Sequence, residues 1–119
     1  RLNQAICKPN FTEKNEIYKV KEYIEENYQS DITLDKLVQV AYVNKYYLIH
    51  SFKKLFNISP MHYLNIVRIA VSKDLLTQTE MSIAEIASKV GFNNPVYFAE
   101  QFKSVIGTTP SIYRKITTE

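Results

Sequence analysis

Apolar residues recur along this chain at intervals of three and four, the spacing that places side chains on one face of an α-helix. The first such stripe predicts a helix from about Glu13 to Gln29, preceded by a tail without any period. Its apolar members are Ile17, Val20, Ile24 and Tyr28. Strict alternation of apolar and polar residues, which is typical of strands, is almost absent. The pattern therefore predicts an all-α fold.

Signals for helix ends divide the rest of the chain into six further helices. A side chain that can cap a helix precedes most predicted starts, and proline often follows it at the first helical position. The capping residues are Thr33, Ser59, Ser82 and Thr109. The third helix starts at Asn44 or Lys45, and Asn94 or Pro95 opens the sixth. Ser82 and Glu85 form a capping box, and Gly91 and Gly107 are expected to end the fifth and sixth helices.

Three of these helices carry apolar stripes that predict which side faces a core. The stripe of the third helix consists of Leu48, Phe52, Leu55 and Phe56. The stripe of the long fourth helix consists of Leu64, Val67, Val71 and Leu75. The stripe of the sixth helix consists of Phe98, Phe102, Val105 and Ile106.

The sequence from Val43 to Leu64 returns in similar form from Asn93 to Arg114, 50 residues further on. The matching pairs include Tyr47 and Tyr97, Phe52 and Phe102, Lys53 and Lys103, Pro60 and Pro110, and Tyr63 and Tyr113. Such an internal repeat predicts that one structural element is built twice. In each copy a short helix, a turn and a longer second helix follow one another, which is the helix-turn-helix pattern.

The two predicted turns differ in sequence. The second copy has the small residue Ala87 where its helices must approach, and Gly91 supplies the positive φ of the turn. One extra residue enters the second copy between Phe92 and Tyr97, so upstream of it the two copies are offset by 49 residues. The first copy therefore has Val38 and Tyr42 at these positions, and its turn has to form without glycine.

Basic residues are concentrated around the first copy. The formal net charge is only +3, but no Asp or Glu occurs between Lys36 and Lys73. This basic stripe contains Lys36, Lys45, Lys53, Lys54, Arg68 and Lys73. A surface of this kind is typical of proteins that meet phosphate backbones. The alternative interpretation is a helical protein–protein interaction module whose stripe 36–73 meets an acidic partner.

The sequence gives little support for an enzyme, a metal-binding protein, a disulfide-rich protein or a membrane protein. Both glycines lie at predicted helix ends, so there is no glycine loop for phosphates, and His50 and His62 lack the spacing of metal ligands. We therefore expect no catalysis, no cofactor and no metal site. A single cysteine excludes an internal disulfide framework, and no apolar run is long enough to span a bilayer. A cytoplasmic protein is the default expectation.

The residues of the second copy resemble a known family. IAEIASKVGF from Ile83 to Phe92, Tyr97-Phe98, Phe102-Lys103 and Gly107 through Arg114 resemble the C-terminal signature of the AraC/XylS family of bacterial transcription regulators. The resemblance extends over about residues 13–117. It implies a seven-helix domain with two helix-turn-helix subdomains, 13–58 and 78–119, joined by a linker helix at 59–77.

The same resemblance implies how such a domain would work. The second helices of the two units, about 44–56 and 94–106, would enter adjacent major-groove segments of double-stranded DNA. Activation through RNA polymerase and repression are both compatible with it. Members usually carry a separate N-terminal sensing domain, which would be missing here, and residues 1–12 would then be a remnant of the linker to it.

The face of the third helix opposite its core stripe carries the first set of candidate contacts. Tyr46, Ile49 and His50 match the base-reading positions of the family. Isoleucine suits a thymine methyl group, and histidine can donate to a purine acceptor or a phosphate. The candidate phosphate contacts are Asn44, Lys45, Tyr47, Lys53 and Lys54.

The sixth helix carries the second set and departs from the family. Its candidate base readers are Asn94, Pro95, Val96, Ala99 and Glu100, and its candidate phosphate contacts are Asn93, Tyr97 and Lys103. Arginine is common in the family where Glu100 stands. Glu100 either accepts a hydrogen bond from cytosine N4 or indicates weak engagement, so the first unit is expected to supply most of the affinity.

Three further residues have predicted roles. Tyr63 and Tyr113, equivalent in the repeat, are interpreted as core anchors of the helices that follow each unit. Arg68 matches a signature residue of the family. A structural ion pair and a phosphate contact are equally compatible with it.

Overall fold

Seven α-helices make up the fold, and no strand occurs among residues 2–118. A computed structural model describes the backbone of residues 2–118 and the side chains of residues 15–118. The helices are α1 Leu2–Asn27, α2 Leu34–Ala41, α3 Lys45–Phe56, α4 Pro60–Gln78, α5 Ile83–Lys89, α6 Pro95–Ile106 and α7 Pro110–Thr117. The predicted all-α, seven-helix fold is confirmed.

Capping side chains fix the starts of α2 to α7 where the sequence predicts them. The Ser82 hydroxyl accepts a hydrogen bond from the Glu85 N–H at 3.0 Å, and the Glu85 carboxylate accepts one from the Ser82 N–H at 2.9 Å. These bonds satisfy N–H groups that have no partner inside the helix. The other starts are capped by Thr33, Asn44, Ser59, Asn94 and Thr109.

The start of α1 differs from the prediction. The sequence predicted an aperiodic tail over residues 1–12 and a helix from Glu13, whereas α1 begins at Leu2. The expected tail is therefore wrong for the described residues. The physical reason is that a helix is held by its own backbone hydrogen bonds, and the lack of an apolar stripe argues only against a core-facing segment.

The chain divides into two compact units. The first unit consists of the chain up to Asn27 together with Ile32–Tyr63, and the second consists of Tyr28–Asp31 together with the chain from Leu64 onward. The predicted linker span 59–77 is thus divided, because α4 begins in the first unit and lies mostly in the second.

Each unit has its own apolar core. In the first unit the helix α1 contributes Ile17, Val20 and Ile24, which are fully buried, and α2 and α3 contribute Leu37, Ala41, Leu48 and Phe52. The core of the second unit consists of Ile69, Leu76, Ile86, Ala87, Val90, Phe92, Phe98 and Phe102. Tyr113 packs against this second core. The helix-turn-helix pairs α2–α3 and α5–α6 are therefore each anchored by their own apolar contacts.

Two predicted core stripes need correction. The buried face of α4 carries Leu64, Arg68, Ile69, Ser72 and Leu76, while Val67, Val71 and Leu75 are only half-buried. Apolar residues surround α4 on several sides, so its packing partners decide which side is buried. Leu55 and Phe56 of α3 are likewise half-buried.

Val105 of α6 is exposed, although the sequence predicted it to be buried. Phe102 and the half-buried Ile106 take the core side of the same turn, and the ring of Phe102 packs against Tyr113 with centroids 5.5 Å apart. Val105 is consequently left at the edge of the contact.

Candidate nucleic-acid interface

The corner of the first unit turns at Tyr42, which has φ 58° and ψ 37° in the left-handed region. Its backbone N–H donates to the Val38 carbonyl at 2.9 Å and closes the C-terminus of α2. A non-glycine residue in this conformation is unusual. The side chain is 89% exposed, so it projects into solvent and requires no space in the corner.

The corner of the second unit turns at Gly91, with φ 110°. A Cβ atom there would lie 2.6 Å from the Tyr28 carbonyl oxygen and 2.7 Å from the Arg68 Nε. Both distances are too short for contact, so space as well as backbone angle requires glycine. The sequence had indicated only the backbone requirement.

The outward face of α3 brings most of the first candidate set together. Lys45, Tyr46, His50, Lys53 and Lys54 are exposed, whereas Tyr47 and Ile49 are half-buried. The predicted exposure of Ile49 is therefore only partial.

Three interactions organise this face. The rings of Tyr46 and His50, one helical turn apart, pack against each other with centroids 4.0 Å apart and an interplanar angle of 42°. Asn44 caps the helix by accepting from the Tyr47 N–H at 2.7 Å, and Lys45 lies 3.3 Å from the Asp35 carboxylate. Tyr46 and His50 thus form one aromatic surface beside basic side chains.

The outward face of α6 brings the second candidate set together. Asn93, Asn94, Pro95, Val96, Tyr97, Glu100 and Lys103 are exposed, and Ala99 is half-buried. Val96 is 65% exposed, which is high for an apolar side chain. The Asn94 side-chain oxygen caps the helix by accepting from the N–H groups of Val96 at 2.7 Å and Tyr97 at 3.1 Å. The oxygen of the Asn94 side chain is therefore used for capping, and its NH₂ group is the part that could contact a base.

Arg68 has a structural position in the second unit. Its Nε donates to the Tyr28 carbonyl at 2.7 Å and its Nη2 to the Ser30 carbonyl at 2.8 Å, and the guanidinium lies 5.5 Å from the centre of the Phe92 ring. Burial lowers the pKa of Arg68 from its ordinary value, and the nearby Asp31 opposes that effect. The structural interpretation is thus favoured, with backbone carbonyls as the partners.

Two polar residues of the second unit were missed by the sequence reasoning. Arg114 donates to the carbonyls of Leu76 at 2.9 Å and Thr79 at 3.2 Å, where α4 ends. Asn65 of α4 donates its side-chain amide to Gln101 of α6. Arg114 was visible only as part of the repeated signature, and nothing in the sequence singles out Asn65.

Tyr63 links α4 to α1 within the first unit. Its hydroxyl donates to the Glu25 carboxylate, which also accepts from Lys21 Nζ at 2.7 Å. The hydrogen bonds from Lys21 and then Tyr63 lower the pKa of Glu25, and burial is the main cause that raises the pKa of Tyr63. The ring of Tyr63 packs on Phe52 with centroids 6.0 Å apart, which confirms the predicted anchoring.

None of the helices described among residues 2–118 combines the length and apolarity that crossing a membrane would need. Among the side chains of residues 15–118, no three His, Cys, Asp or Glu residues come together in a group that could hold a metal ion.

Comparison with known proteins places this architecture in a family. The sequence model of a family described as a helix-turn-helix domain matches residues 37–116. A probable AraC family transcriptional regulator from Rhodopseudomonas palustris has a solved structure that is 27% identical, with a TM-score of 0.79 over 88% of this chain and 99% of that one. This chain belongs to the AraC-type helix-turn-helix family.

Two further proteins are similar to this chain, one in sequence and one in fold. The bifunctional transcriptional activator/DNA repair enzyme AdaA of Bacillus subtilis is 34% identical over 98 residues, which are 82% of this chain and 46% of AdaA. The DNA-binding domain of AdpA, solved in complex with a target DNA, has the same fold at 24% identity, with a TM-score of 0.80 over 84% of this chain and 90% of that one. This chain spans less than half the length of the first curated relatives it matches.

Proposed function

We propose that this chain is the DNA-binding domain of a transcription regulator that recognises double-stranded DNA by sequence and has no catalytic activity of its own. The observation that carries the proposal is the pair of helix-turn-helix corners, each with an outward helix face of polar and aromatic side chains. An α-helix fits the major groove of B-DNA, where each base pair presents a distinct pattern of donors and acceptors. AdaA is named a transcriptional activator, and the AdpA domain was solved with DNA.

In the first unit, α3 is the proposed recognition helix. Its base readers are Tyr46, Ile49 and His50, because they share the outward face near the start of the helix. The tilted rings of Tyr46 and His50 would present one continuous aromatic surface to the bases. The proposed phosphate contacts are Asn44, Lys45, Tyr47, Lys53 and Lys54. Lys45 would exchange its exposed partner Asp35 for a phosphate, a change that costs little because surface ion pairs are weak.

In the second unit, α6 is the proposed recognition helix. Its base readers are Asn94, Pro95, Val96, Ala99 and Glu100, and its phosphate contacts are Asn93, Tyr97 and Lys103. The exposed methyl groups of Val96 would suit a thymine methyl group. Glu100 would repel phosphate unless it accepts from a cytosine N4, so this helix contributes discrimination more than affinity.

The proposal extends to the protein of which this domain would be part. The relatives are roughly two to three times as long as the matched region, which supports a regulator with a further, N-terminal sensing domain. RNA polymerase is the proposed protein partner, since AdaA is named an activator. The proposed location is the cytoplasm, where bacterial DNA is accessible.

Selection of bound duplexes from a random-sequence pool tests the function. We expect two unlike motifs about ten base pairs apart, one for each unit, and binding at least about 1,000-fold tighter than to scrambled DNA. Ile49→Ala should alter only the motif read by α3, and Glu100→Gln only the motif read by α6. Each variant is the matched control of the other.

A protein partner for the basic stripe gives a different result. In that case no motif would be enriched, and unrelated duplex DNA would not compete for the bound partner. This outcome would contradict the proposed function, whereas loss of binding at high salt would not, because both kinds of contact are ionic.

A further inference from the structure

One side-chain amide joins the outward face of α6 to α4 within the second unit. The Nδ2 of Asn65 donates to the Gln101 Oε1 at 3.2 Å and to the Tyr97 hydroxyl oxygen at 3.5 Å. An amide NH₂ group has two hydrogens, and here both are directed at α6. Asn65 therefore holds two side chains of the proposed recognition helix at once.

The ring of Tyr97 is held at its other end by the core. Phe92, which is 4% exposed, packs against it with centroids 5.9 Å apart, and the guanidinium of Arg68 lies against the same phenylalanine. The ring of Tyr97 thus packs on Phe92, and its hydroxyl oxygen accepts the longer of the two hydrogen bonds from Asn65. Yet the residue remains 46% exposed, so the hydroxyl end is accessible from solvent.

The direction of the hydroxyl hydrogen follows from these contacts. A phenol oxygen that accepts a hydrogen bond from Asn65 keeps its own O–H hydrogen for another acceptor. That hydrogen has to be directed away from the donating amide. On an exposed face proposed to meet DNA, the acceptor that suits it is a phosphate oxygen, and hydrogen bonds to charged acceptors are the stronger ones.

We infer that Asn65 is a positioning residue that orients the Tyr97 hydroxyl to donate a hydrogen bond to a DNA phosphate beside α6. This inference rests on the proposed function. Holding Tyr97 in place before binding removes part of the entropy cost of ordering it on the DNA. Gln101 accepts the second amide hydrogen of Asn65 and so fixes the plane of the amide.

The arrangement suits the charge of α6. Its outward face combines Lys103 with the acidic Glu100, whereas α3 has three lysines and no acid. A neutral donor can hold a phosphate without adding charge to a face that reads sequence. A neutral donor and a lysine differ in their effect on the salt dependence of DNA binding. Measuring that dependence therefore separates loss of this phosphate contact from simple loss of structure.

The test is titration of a mixed-sequence 30-base-pair duplex with the chain and its variants at several salt concentrations. We expect Tyr97→Phe and Asn65→Leu each to weaken binding about tenfold, and the double variant to be no weaker than either single one. The dependence of affinity on salt should stay unchanged, because a hydroxyl releases no counterion. Lys103→Ala, by contrast, should lower the salt slope by about 0.9.

Tyr47→Phe, at the equivalent tyrosine of the first unit, is the matched control, and its effect should add to that of Asn65→Leu. Full affinity of Tyr97→Phe, or additive effects of Asn65→Leu and Tyr97→Phe, would overturn the inference.

Thermal melting shows whether each variant is folded. If Asn65→Leu is not, Asn65→Ser replaces it in the cycle, and the result for Tyr97→Phe already decides whether the hydroxyl contacts phosphate. If the wild-type chain binds no duplex, the result contradicts the proposed function as well as this inference.

Discussion

The two helix-turn-helix units place positive-φ residues at equivalent points of the chain, but they use different residues and different angles. Tyr42 in the first unit and Gly91 in the second both have positive φ at the corner, and Asn57 and Gly107 both have positive φ where the second helix ends. The first unit thus uses no glycine at either place. Tyr42 projects into solvent, whereas Gly91 is enclosed by a carbonyl and a guanidinium. The left-handed φ of 58° therefore permits an exposed tyrosine at Tyr42, whereas both the φ of 110° and the enclosure require glycine at Gly91.

The outward faces of the two second helices, α3 and α6, differ in charge. The face of α3 carries Lys45, Lys53 and Lys54 without an acid, and α6 carries Lys103 beside Glu100. The two copies of the repeat thus share buried apolar positions and differ in their exposed charges. This difference predicts unequal contributions to DNA binding.

Gly91→Ala tests the enclosure of the second corner and has the largest expected effect. The new Cβ would lie 2.6 Å from the Tyr28 carbonyl and would displace the Arg68 side chain from its two hydrogen bonds. Backbone strain at φ 110° adds to this. We expect the free energy of unfolding to fall by about 3 kcal/mol or more, measured by urea denaturation.

Gly107→Ala is the matched control for that change. Its φ is 102°, but nothing lies within 4 Å of the added Cβ. Only the strain of the backbone remains, so the expected loss is about 1–2 kcal/mol. Equal losses at the two glycines would show that backbone angle, and not enclosure, sets the requirement at Gly91.

Lys53→Ala and Glu100→Ala test the inequality of the two exposed faces. Loss of a phosphate contact at Lys53 should weaken duplex binding about fivefold and lower the salt slope by about 0.9. Glu100→Ala removes a repulsive charge, so affinity for mixed-sequence DNA should stay equal or rise. Fluorescence anisotropy at two salt concentrations measures both. Equal weakening by the two substitutions would contradict the proposal that the first unit supplies most of the affinity.

Helix ends could be predicted from the sequence because they depend on neighbouring residues. Ser82 and Glu85, for example, satisfy free N–H groups three positions apart along the chain. The start of α1 lacked such a signal. The buried face of α4 could not be predicted either, since Arg68 is tolerated there only because two distant carbonyls accept its hydrogens.

Part of the candidate site could likewise be predicted from the sequence, and part could not. Helical period alone identified the outward residues of α3 and α6, because the core stripe fixes the opposite side. The contact of Asn65 with Tyr97 and Gln101 depends on residues more than 30 positions away in sequence, so no local pattern indicates it. That these faces meet DNA stays a prediction for every single residue.

Tyr63→Phe tests whether the anchoring tyrosine of the first unit, unlike Tyr113, stabilises the fold in a pH-dependent way. The pKa of Glu25 is lowered in the folded state, so its contribution to stability is present above the unfolded value of about 4.3 and is lost as pH falls through the folded value. Removing the Tyr63 hydroxyl should cost less than about 1 kcal/mol at pH 7, since Glu25 is exposed. The difference from the wild type should shrink as pH falls below the unfolded value and vanish once the Glu25 carboxyl, whose pKa is lowered, is protonated.

Tyr113→Phe is the equivalent change in the second unit, where the ring packs on Phe102. Its effect on urea denaturation should not depend on pH between about 4 and 7. A difference between wild type and Tyr63→Phe that persists once the Glu25 carboxyl is protonated would show that the carboxylate is not what the Tyr63 hydroxyl stabilises.

Tyr42→Gly addresses the first corner and has the smallest expected effect. The left-handed conformation costs a non-glycine residue about 1–2 kcal/mol, and glycine removes that cost. Glycine also has more freedom in the unfolded chain, which offsets about 0.5–1 kcal/mol. We therefore expect a net gain of about 0.5 kcal/mol in the free energy of unfolding, measured by urea denaturation. Because the Tyr42 side chain is 89% exposed, a marked loss would mean that this tyrosine makes a stabilising contact across the surface, and the two corners would then differ in packing as well as in enclosure.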